Sequence, residues 1–429
     1  MAATNNPGED QVAWGEPSNI ARYNSPYYKP CHHAWRKQVR AFVEEHLAPY
    51  VQDWEKDKCI PHETFVKCSK VGLLGAIVGG KWSTADYGPC PIPGGAEEFD
   101  AFHELIAWEE VCRCGSGGLA WGICEGIQIS VPPLLNFAGT PLHVKVAREC
   151  LRGESVVCLC ISEPYAGSDV ANIRCTAEKD ASGEFYVVNG EKKWITNGMY
   201  SDYFVVACRT GGKGHKGISL LLLDANMPGV GRKQMDCMGM WASGTAFITL
   251  EDVKVPKERL IGQENQGFYY IVYNFNHERW GFVVQATEFA RVCLDEATKY
   301  ALRRRTFGKT LVEHPVIRAK LGEMARQIES THAMLELLTY QMCTMSKEDQ
   351  NTKLAADCAL IKVQATKVFE YCAREAAQIF GGNSYIRGGQ GEKIERLYRE
   401  VRATAIPGGS EEIMIDLAVR QILKPIKKL

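Results

Sequence analysis

The strongest constraint on the fold is a change of hydrophobic period that occurs twice along the 429 residues. Between residues 32 and 151, apolar residues recur every three or four positions, which predicts amphipathic helices. Between residues 155 and 255 there are short β-rich runs, separated by turn signals such as Asn189-Gly190. After Gly267 helical spacing returns over longer stretches. This order predicts a multi-domain α+β protein, with a small antiparallel barrel or sandwich between two helical regions.

The same patterns predict the boundaries of domains and elements. We expect an N-terminal arm over residues 1–30, a helical domain over 31–153, a middle β domain over 154–264 and a helical bundle over 265–429. The helices are predicted at Ala34–Glu55, Phe65–Leu74, Glu97–Cys112, Leu142–Leu151, Phe268–Arg305, Pro315–Met345, Thr352–Phe380 and Glu411–Leu423. The strands are predicted at Val156–Ile161, Phe185–Val188, Tyr203–Ala207, Ile218–Leu223 and Phe247–Val253.

The proline-free stretch over residues 270–309 is predicted to be one long helix that runs into a basic turn. Glu278 falls on its apolar face, where desolvation would raise the pKa of the carboxyl group and suit it to act as a general base. Gly281, one turn further on, leaves space in which a ligand could lie against the helix. The alternative is that Glu278 pairs with Arg279 or His277, or faces solvent at the edge of the stripe.

Composition narrows the class of protein. The chain is 45% hydrophobic and 24% charged with a net charge of −1, so it lacks the basic surplus that attracts nucleic acid or an anionic membrane. The longest apolar runs are far short of a membrane span. The seventeen cysteines are scattered, without a Cys-x-x-Cys pair. No metal site is predicted from them with His32, His33, His62 or His103.

The chain ends bear on localisation. The first 17 residues contain no apolar signal core, and they lack the basic character of a mitochondrial transit peptide. A soluble intracellular protein is therefore expected. Lys427-Lys428-Leu429 is a loose version of the Ser-Lys-Leu peroxisomal address, although it is equally an ordinary lysine-rich end. A cytoplasmic or peroxisomal location is thus favoured over a mitochondrial one.

Two strand ends carry residues suited to a flat, heteroatom-rich ring. The first is ISEPYAGSDV, which offers the hydroxyls of Ser162 and Ser168 after Ile161. The second is the run Trp194-Ile195-Thr196-Asn197, which combines an aromatic plane with a hydroxyl. Taken by itself, Trp194 is better interpreted as an ordinary core tryptophan.

Two further stretches suit phosphate groups. In Arg303-Arg304-Arg305 a guanidinium could bind a phosphate, or the cations could stabilise the negative end of the helix dipole. The glycines of Gly381-Gly382-Asn383 and Gly408-Gly409-Ser410 end one helix and precede another. A helix N-terminus of this kind can receive a phosphate or a ring edge, and Ser410 could cap it.

Six motifs, ISEPYAGSDV, NGEKKWITNG, EDVKVP, RRRTFGK, QIFGGNSY and IPGGSEEIM, occur in this order. In their order and spacing the chain resembles the flavin-dependent acyl-CoA dehydrogenase family over roughly residues 32–424. The resemblance implies a helical N-terminal domain, a middle β-barrel domain and a C-terminal four-helix bundle. It also implies FAD between barrel and bundle, an acyl-CoA substrate, a homotetramer or homodimer and, as one possible electron acceptor, an electron-transfer flavoprotein.

The resemblance also implies roles for individual residues. Around the flavin ring it places Ile161, Ser162, Trp194 and Thr196, and it places Ser168 at the flavin phosphates or the CoA end. Residues that reach the FAD of a neighbouring subunit would be Arg304, Phe307, Gln378 and Gly382, and those at the adenosine end Ser410 and Glu412. Substrate contacts would come from Ser168, Arg279 and Gly409.

The family places its catalytic base in one of two ways. Most members use a glutamate just before the Gly-Thr of the last motif, where this chain has Gly408. Isovaleryl and long-chain types place it on the long helix immediately before an arginine, where this chain has Glu278-Arg279. The resemblance therefore implies that Glu278 removes the α-proton while a hydride leaves the β-carbon, giving trans-2-enoyl-CoA. The backbone N–H of Gly408 would stabilise the developing enolate.

Two positions depart from the usual pattern and could reshape the CoA channel. Tyr165 replaces a glycine of the first motif, and Trp241 stands where many members have arginine. The phrases NFNHERW and WASGT resemble a fungal-type branch whose acyl substrates the sequence does not identify. Alternative functions are an oxidase of the same fold that acts on a non-CoA substrate or reduces oxygen, and a flavin-free scaffold.

Overall fold

The structure, a computed structural model, describes residues 12–423. The tripeptide Lys427-Lys428-Leu429 lies outside the described residues, so the peroxisomal address stays a prediction. The described chain forms two compact units, one of residues 29–281 and the other of residues 12–28 with 282–423. No helix within residues 12–423 is long and apolar enough to cross a membrane.

The unit of residues 29–281 begins with helices that bury one face each. Trp35 and Val39 of the first helix are completely buried. Pro30 occupies the first turn of that helix, where its missing N–H costs nothing. Asp100 caps another helix by accepting a hydrogen bond from the amide of Phe102 at 3.0 Å. The helices of this region are Pro30–His46, Val51–Asp57, His62–Lys70, Leu73–Val78, Thr84–Tyr87, Gly95–Glu98, Ala101–Cys112, Gly117–Ala120, Gly126–Asn136 and Pro141–Leu151.

A long hydrophobic helical stretch of this unit is absent from the predicted elements. It runs from Gly117 to Asn136 and contains a π-helical turn at Trp121–Glu125. The stretch is apolar on nearly every side and almost wholly buried. Helical periodicity depends on contrast between two faces, so a helix without a polar face gives no such pattern.

The same unit contains one eight-stranded sheet. Its strands are β1 (Val157–Cys160), β2 (Thr176–Lys179), β3 (Phe185–Ile195), β4 (Tyr203–Arg209), β5 (Ile218–Asp224), β6 (Val230–Gln234), β7 (Ala246–Pro256) and β8 (Leu260–Ile261). The order across the sheet is β6-β7-β3-β2-β4-β5-β8, with β1 paired in parallel to β4. Among the described residues β6 and β8 are not paired with each other, so the sheet is open and the predicted barrel describes it only loosely.

The sequence located the five strands with strong β-rich runs but missed β2, β6 and β8. Those three are short or polar, with the sequences TAEK, VGRKQ and LI. A strand that is short or polar buries little apolar surface and so leaves little trace in the hydrophobic pattern. The three-part architecture of helical, β and helical regions is nevertheless confirmed.

The predicted long helix at Phe268–Arg305 is wrong in one respect, because it is broken into two. The structure has Gly267–Val272 and Phe275–Arg303. Asn274 stands immediately before the second helix, and its side-chain amide donates a hydrogen bond to the carbonyl of Gln128 at 3.0 Å. Asparagine favours helix ends because its side chain competes for backbone partners, which explains a break that apolar spacing cannot show.

The unit of residues 12–28 and 282–423 is helical. Its helices include Ser18–Ala21, the part of Phe275–Arg303 from residue 282, Pro315–Thr344, Lys347–Lys353, Ala355–Phe380, Glu392–Ala405 and Glu411–Leu423. Ala359 and Val363 pack against Met414 and Ala418, which joins the helices Ala355–Phe380 and Glu411–Leu423. The helix Glu392–Ala405 was not predicted.

Residues 12–28 are held to this unit by specific polar contacts. The hydroxyl of Ser18 donates to the carboxylate of Glu329. Arg291, which is completely buried, donates from Nη1 to the carbonyl of Trp14 at 3.1 Å and to Glu329 at 2.7 Å. The sequence predicts this part of the chain to be an arm over the surface. Through these contacts, residues 12–28 belong to the same compact unit as helices more than 260 residues further along the chain.

Candidate active site

The two strand ends predicted to face a flat ring are brought together by backbone pairing. The amide of Lys193 donates to the carbonyl of Ser162 at 2.9 Å. Ser162 lies just beyond β1, and Thr196 directly follows β3. Ile161, Ser162 and Thr196 are half-buried. The hydroxyls of both segments therefore lie in one region at the edge of the sheet.

Trp194 lies at an irregularity of β3 that turns its side chain outward. The register between β3 and β7 shifts between Lys192 and Ile195, and Trp194 has a φ of 61°. Bulges of this kind re-aim side chains and are frequent beside active sites. The indole is 50% exposed, so Trp194 is not an ordinary core tryptophan. The ammonium group of Lys193 lies 4.7 Å from the centre of the Trp194 ring.

A buried ion pair fixes the segment that carries Ile161 and Ser162. Lys192 and Glu163 are both buried, and Nζ of Lys192 lies 2.8 Å from Oε1 of Glu163. The same ammonium group donates to the carbonyl of Ile161 at 3.0 Å. Glu163 also accepts from the backbone amide of Cys175 at 3.0 Å. The sequence analysis missed both members of this pair.

Asn197 fixes the segment that carries Thr196. It is buried, with a φ of 64°, a left-handed conformation that asparagine tolerates better than most residues. Its amide donates to the carbonyl of Ser243 at 2.8 Å, and its Nδ2 donates to the carbonyl of Gly122 at 2.9 Å. A Cβ atom at Gly126 would collide with Nδ2 of Asn197. The glycine is thus required for this close approach.

The two unusual positions named from the sequence both lie in this unit. Tyr165 is 64% exposed, with the guanidinium of Arg174 4.5 Å above its ring. Ser168, three residues further on, is exposed. Trp241 donates from Nε1 to the carbonyl of Cys237 at 2.7 Å, and its backbone amide donates to the buried carboxylate of Glu55 at 3.0 Å. The indole of Trp241 therefore has a defined structural position.

Glu278 lies in the first turn of the helix Phe275–Arg303 and is half-buried. Its neighbour Arg279 is buried, donates to Oδ1 of Asn276 at 3.2 Å and lies 5.4 Å from the ring of Phe275. The role of Glu278 as base stays a prediction.

A buried polar cluster lies beside Glu278 in the chain. Nε2 of His277 is 2.6 Å from Oε1 of Glu104, and Nε2 of Gln128 donates to the same oxygen at 3.0 Å. All three side chains are buried. His277 therefore has a carboxylate partner of its own, which weakens the alternative in which it pairs with Glu278.

The structure explains the glycine at position 281 differently from the prediction. A Cβ atom at this position would lie 2.6 Å from Oε1 of Gln128. The space beside the glycine is taken by a side chain of the protein, so the prediction that a ligand lies there is wrong. Gln128 is 153 positions away, and apolar spacing along a helix cannot reveal such a neighbour.

In the other unit, Arg304 and Phe307 lie around a small hairpin. Arg304 follows the helix Phe275–Arg303, and the strands Arg305–Thr306 and Lys309–Thr310 come next. Phe307 and Gly308 form the two-residue turn, both with positive φ, which is the conformation of tight hairpin turns. The ring of Phe307 is 96% exposed. A left-handed phenylalanine with an exposed ring is unfavourable locally, and such strain is found at functional contacts.

The remaining predicted cofactor residues also lie in this unit. Gln378 is exposed near the end of the helix Ala355–Phe380, and Gly382 is exposed in the turn that follows. Glu412 is exposed in the first turn of Glu411–Leu423, where a carboxylate favours the positive helix end. Ser410 stands immediately before that helix, and its carbonyl accepts from the amide of Met414 at 2.9 Å.

Gly408 and Gly409 form a turn that few other residues could adopt. Their φ angles are 65° and 103°. A Cβ atom at Gly409 would collide with the side chain of Met414. Both glycines are half-buried. The fully buried Lys362 donates from Nζ to the carbonyl of Gly409 at 2.8 Å, a contact that the sequence analysis did not foresee.

One cluster in the unit of residues 29–281 has the composition of a metal site. Cys31, His32 and His103 are buried, with one ligand-type atom from each within 4.8 Å of the others. Nδ1 of His32 accepts from the amide of Lys29 at 2.9 Å, so its Nε2 carries the proton directed at Asp100. Nδ1 of His103 accepts from the amide of Asp100 in the same way. The Nδ1 lone pair of each ring thus accepts a backbone N–H at the start of a helix and is not free to bind a metal ion. We assign no metal to this cluster.

Comparison with known proteins decides the family. Three family models together match most of the chain: acyl-CoA dehydrogenase N-terminal domain at residues 29–154, middle domain at 158–253 and C-terminal domain at 265–423. The chain belongs to the acyl-CoA dehydrogenase family. The resemblance inferred from the six motifs is confirmed.

Individual relatives agree with this assignment. The acyl-CoA dehydrogenase apdG of Emericella nidulans is 38% identical over 431 residues, covering 97% of this chain and 96% of the relative. The crystal structure of a probable acyl-CoA dehydrogenase from Mycobacterium abscessus matches with a TM-score of 0.83 and 34% identity, covering 92% of this chain and all of the other.

A second similar structure bears on the cofactor. It is the acyl-CoA dehydrogenase complexed with FAD from Bacillus anthracis, with a TM-score of 0.80 and 25% identity over 94% of this chain and 68% of the other. This acyl-CoA dehydrogenase is accordingly an oxidoreductase that uses FAD. Its general reaction is the dehydrogenation of an acyl-CoA thioester.

Proposed function

We propose that this acyl-CoA dehydrogenase forms trans-2-enoyl-CoA with Glu278 as the base that removes the α-proton. The supporting observation is the position of Glu278, half-buried in the first turn of Phe275–Arg303 and followed by the buried Arg279. The other position at which the family places a base is Gly408, which has no side chain that could accept a proton. Glu278 is thus the carboxylate at a family base position.

The residues at the sheet edge fit the isoalloxazine ring of FAD. The half-exposed plane of Trp194 lies next in sequence to Lys193, whose amide bonds the carbonyl of Ser162. This places an aromatic plane and the hydroxyls of Ser162 and Thr196 in one region, with Ile161 beside them. FAD, when bound, supplies the acceptor for the hydride that leaves the β-carbon. Arg304, Phe307, Gln378, Gly382, Ser410 and Glu412 would hold the remainder of the cofactor, partly across subunits.

The protein's own contribution to the proton step has two parts. Glu278 accepts the α-proton, and the backbone N–H of Gly408 donates a hydrogen bond to the thioester carbonyl oxygen. The α-proton is too weakly acidic for a carboxylate unless the negative charge that develops on that oxygen is stabilised. A backbone donor serves here without any side chain. Arg279, Ser168 and Gly409 are proposed to contact the substrate.

The electron acceptor and the assembly are proposals of the same kind. We infer an electron-transfer flavoprotein as acceptor, and a homotetramer or homodimer in which Phe307 contacts a neighbouring subunit. In the single chain the ring of Phe307 is 96% exposed. A contact with a neighbouring subunit would remove this apolar surface from water.

The test replaces the base while keeping its shape. The variant Glu278→Gln should bind FAD normally yet lose reduction of the flavin by acyl-CoA under argon, followed as bleaching of its visible absorbance. General bases typically contribute about 10²–10⁴-fold in rate. Glu258→Gln, at an unburied position near β8, is the matched control and should be reduced at the wild-type rate. Near-normal reduction of Glu278→Gln would show that another group is the base.

The same assay separates the alternatives. A flavin bleached by no acyl-CoA of any chain length would indicate a substrate without CoA. Rapid reoxidation of the reduced flavin by air would indicate an oxidase. A screen of straight and branched acyl-CoA thioesters identifies the preferred acyl group.

A further inference from the structure

The most unusual buried group in the C-terminal helices is the side chain of Lys362. It lies within the helix Ala355–Phe380 and has no exposed surface. Lysine is almost never fully buried unless its amino group has partners, because removing that group from water is costly. Nζ of Lys362 donates to the carbonyl of Ala405 at 2.8 Å and to the carbonyl of Gly409 at 2.8 Å. It also lies 5.8 Å from the ring centre of Phe282.

The two carbonyls that Lys362 binds lie on either side of Gly408. Ala405 ends the helix Glu392–Ala405, and Gly409 precedes the helix Glu411–Leu423 by two positions. Gly408 and Gly409 both have positive φ angles. Because both residues are glycines, no Cβ atom restricts this turn. Glycine has the largest backbone freedom of any residue, so such a turn is held in one conformation only by contacts from outside it. Lys362 provides two of those contacts.

A neighbouring residue of the same helix supports the next part of the turn. Thr366, one turn after Lys362, donates from Oγ1 to Oε1 of Glu411 at 3.2 Å. Met414 fills the space against Gly409 and packs in the cluster that contains Val363. The helix Ala355–Phe380 is thus the rigid element against which the glycine turn is fixed.

We propose that Lys362 is a positioning residue that holds the backbone N–H of Gly408 in the orientation needed to bind the thioester carbonyl. This inference rests on the proposed role of Gly408 as that donor. Donors that stabilise a developing oxyanion act because they are oriented before the reaction begins. A displacement of about 1 Å in a positioned group can reduce a rate by about 10²-fold. A buried lysine far from the reacting atoms along the chain can therefore govern the step without touching substrate.

The first test measures the turn directly and requires no turnover. Hydrogen exchange of the peptide that contains residues 405–410 is followed by mass spectrometry in the FAD-loaded enzyme and in Lys362→Met. We expect exchange in that peptide to become about fivefold faster or more, with the peptide of Pro315–Thr344 unchanged. Lys367→Met removes an exposed lysine from the same helix and should leave exchange as in the wild type.

The second test asks whether the donor still recognises a carbonyl. Binding of a trans-2-enoyl-CoA is compared with binding of an S-alkyl-CoA thioether of equal chain length, which lacks the carbonyl oxygen. The wild-type enzyme should prefer the thioester by about 2–12-fold, the effect of one net hydrogen bond. Lys362→Met should lose most of this preference while its affinity for the thioether stays within about twofold.

Each outcome bears on a separate claim. Unchanged exchange at residues 405–410 in Lys362→Met, or an undiminished preference for the thioester, overturns the positioning role. A wild-type enzyme with no preference for the carbonyl instead overturns the assignment of Gly408 as donor, which is the proposed function itself. If Lys362→Met fails to fold, Lys362→Gln retains a shorter amide donor, and the same two measurements on it decide the question.

Discussion

The ammonium group of Lys192 lies 2.8 Å from a carboxylate oxygen of Glu163, and neither side chain is reached by solvent to more than 2%. The pair connects the middle of β3 to the segment just beyond β1. Removal of one partner of a buried pair leaves an uncompensated charge, which typically costs about 3–5 kcal/mol. The pair is therefore a structural requirement of the proposed flavin-ring region.

The first prediction concerns this pair. Lys192→Met should lower the thermal unfolding midpoint and reduce the FAD content of the purified protein, because the carbonyl of Ile161 and the carboxylate of Glu163 both lose a donor. Lys254→Met, which alters an exposed lysine on the neighbouring strand β7, is the matched control and should change neither quantity. Wild-type stability and FAD content in Lys192→Met would contradict the prediction.

The second prediction moves the base. If both family base positions serve the same α-carbon, as we propose, Glu278→Gly combined with Gly408→Glu should recover part of the flavin reduction lost in Glu278→Gly. Recovery will be incomplete, since Gly408 has a φ of 65°, which strains any other residue. Glu278→Gly with Gly408→Ala carries the same strain without a carboxylate and should recover nothing. Equal rates in the two double variants would refute the idea.

The third prediction concerns the arginine run. Arg304→Ala should weaken FAD retention and subunit association together, because the resemblance places this guanidinium on the FAD of a neighbouring subunit. Arg303→Ala removes an adjacent exposed arginine from the end of the helix and should affect both much less. FAD affinity is measured by titration of the apoprotein, and mass by light scattering. The prediction is lost if the two variants behave alike.

The fourth prediction concerns acid stability. Burial of Glu110 disfavours its charge and raises the pKa of its carboxyl group. The hydrogen bond from Arg40 and the charges of Arg36, Arg40 and Arg113 outweigh burial, so the net pKa is lowered. A lowered folded-state pKa contributes stability above the unfolded-state value of about 4.5 and loses it as the pH falls through the folded-state value.

Glu110→Gln should therefore lower the thermal unfolding midpoint at pH 7, and the difference from wild type should shrink below about pH 4.5. Glu45→Gln, at a side chain that is 75% exposed, should show no pH-dependent difference. A difference for Glu110→Gln that stays constant from pH 7 to pH 3.5 would show that the ion pairs are not its cause.

The sequence predicts those candidate site residues that are marked by a local sequence pattern. Ser162, Trp194 and Thr196 were singled out because each stands near the end of a β-rich run next to a turn signal, and their contact with FAD stays a prediction. The helix Glu392–Ala405 could have been found as well. Its buried residues Ile394, Leu397 and Val401 follow helical spacing, although the charged residues between them obscure it.

What the sequence could not show depends on residues that meet only after folding. Lys192 finds Glu163 at a separation of 29 positions, and Lys362 finds Gly409 at a separation of 47. Gly281 was misread because Gln128, which fills the space beside it, comes from a separate helix. In each case the type of one residue does not identify its partner, because residues at many other positions in the chain could make the same contact.

The hydrogen bond between Ser18 and Glu329 spans 311 positions of the chain. During synthesis it cannot form until Glu329 has emerged from the ribosome, and by then residues 29–281 have been available to fold as a unit of their own. The contact of Ser18 with Glu329 therefore closes only after that interval, whereas Arg291, 38 positions before Glu329, emerges earlier to receive the carbonyl of Trp14. The entropic cost of closing so long a loop rises only slowly with its length. The unit completed last is consequently assembled from segments made early and late.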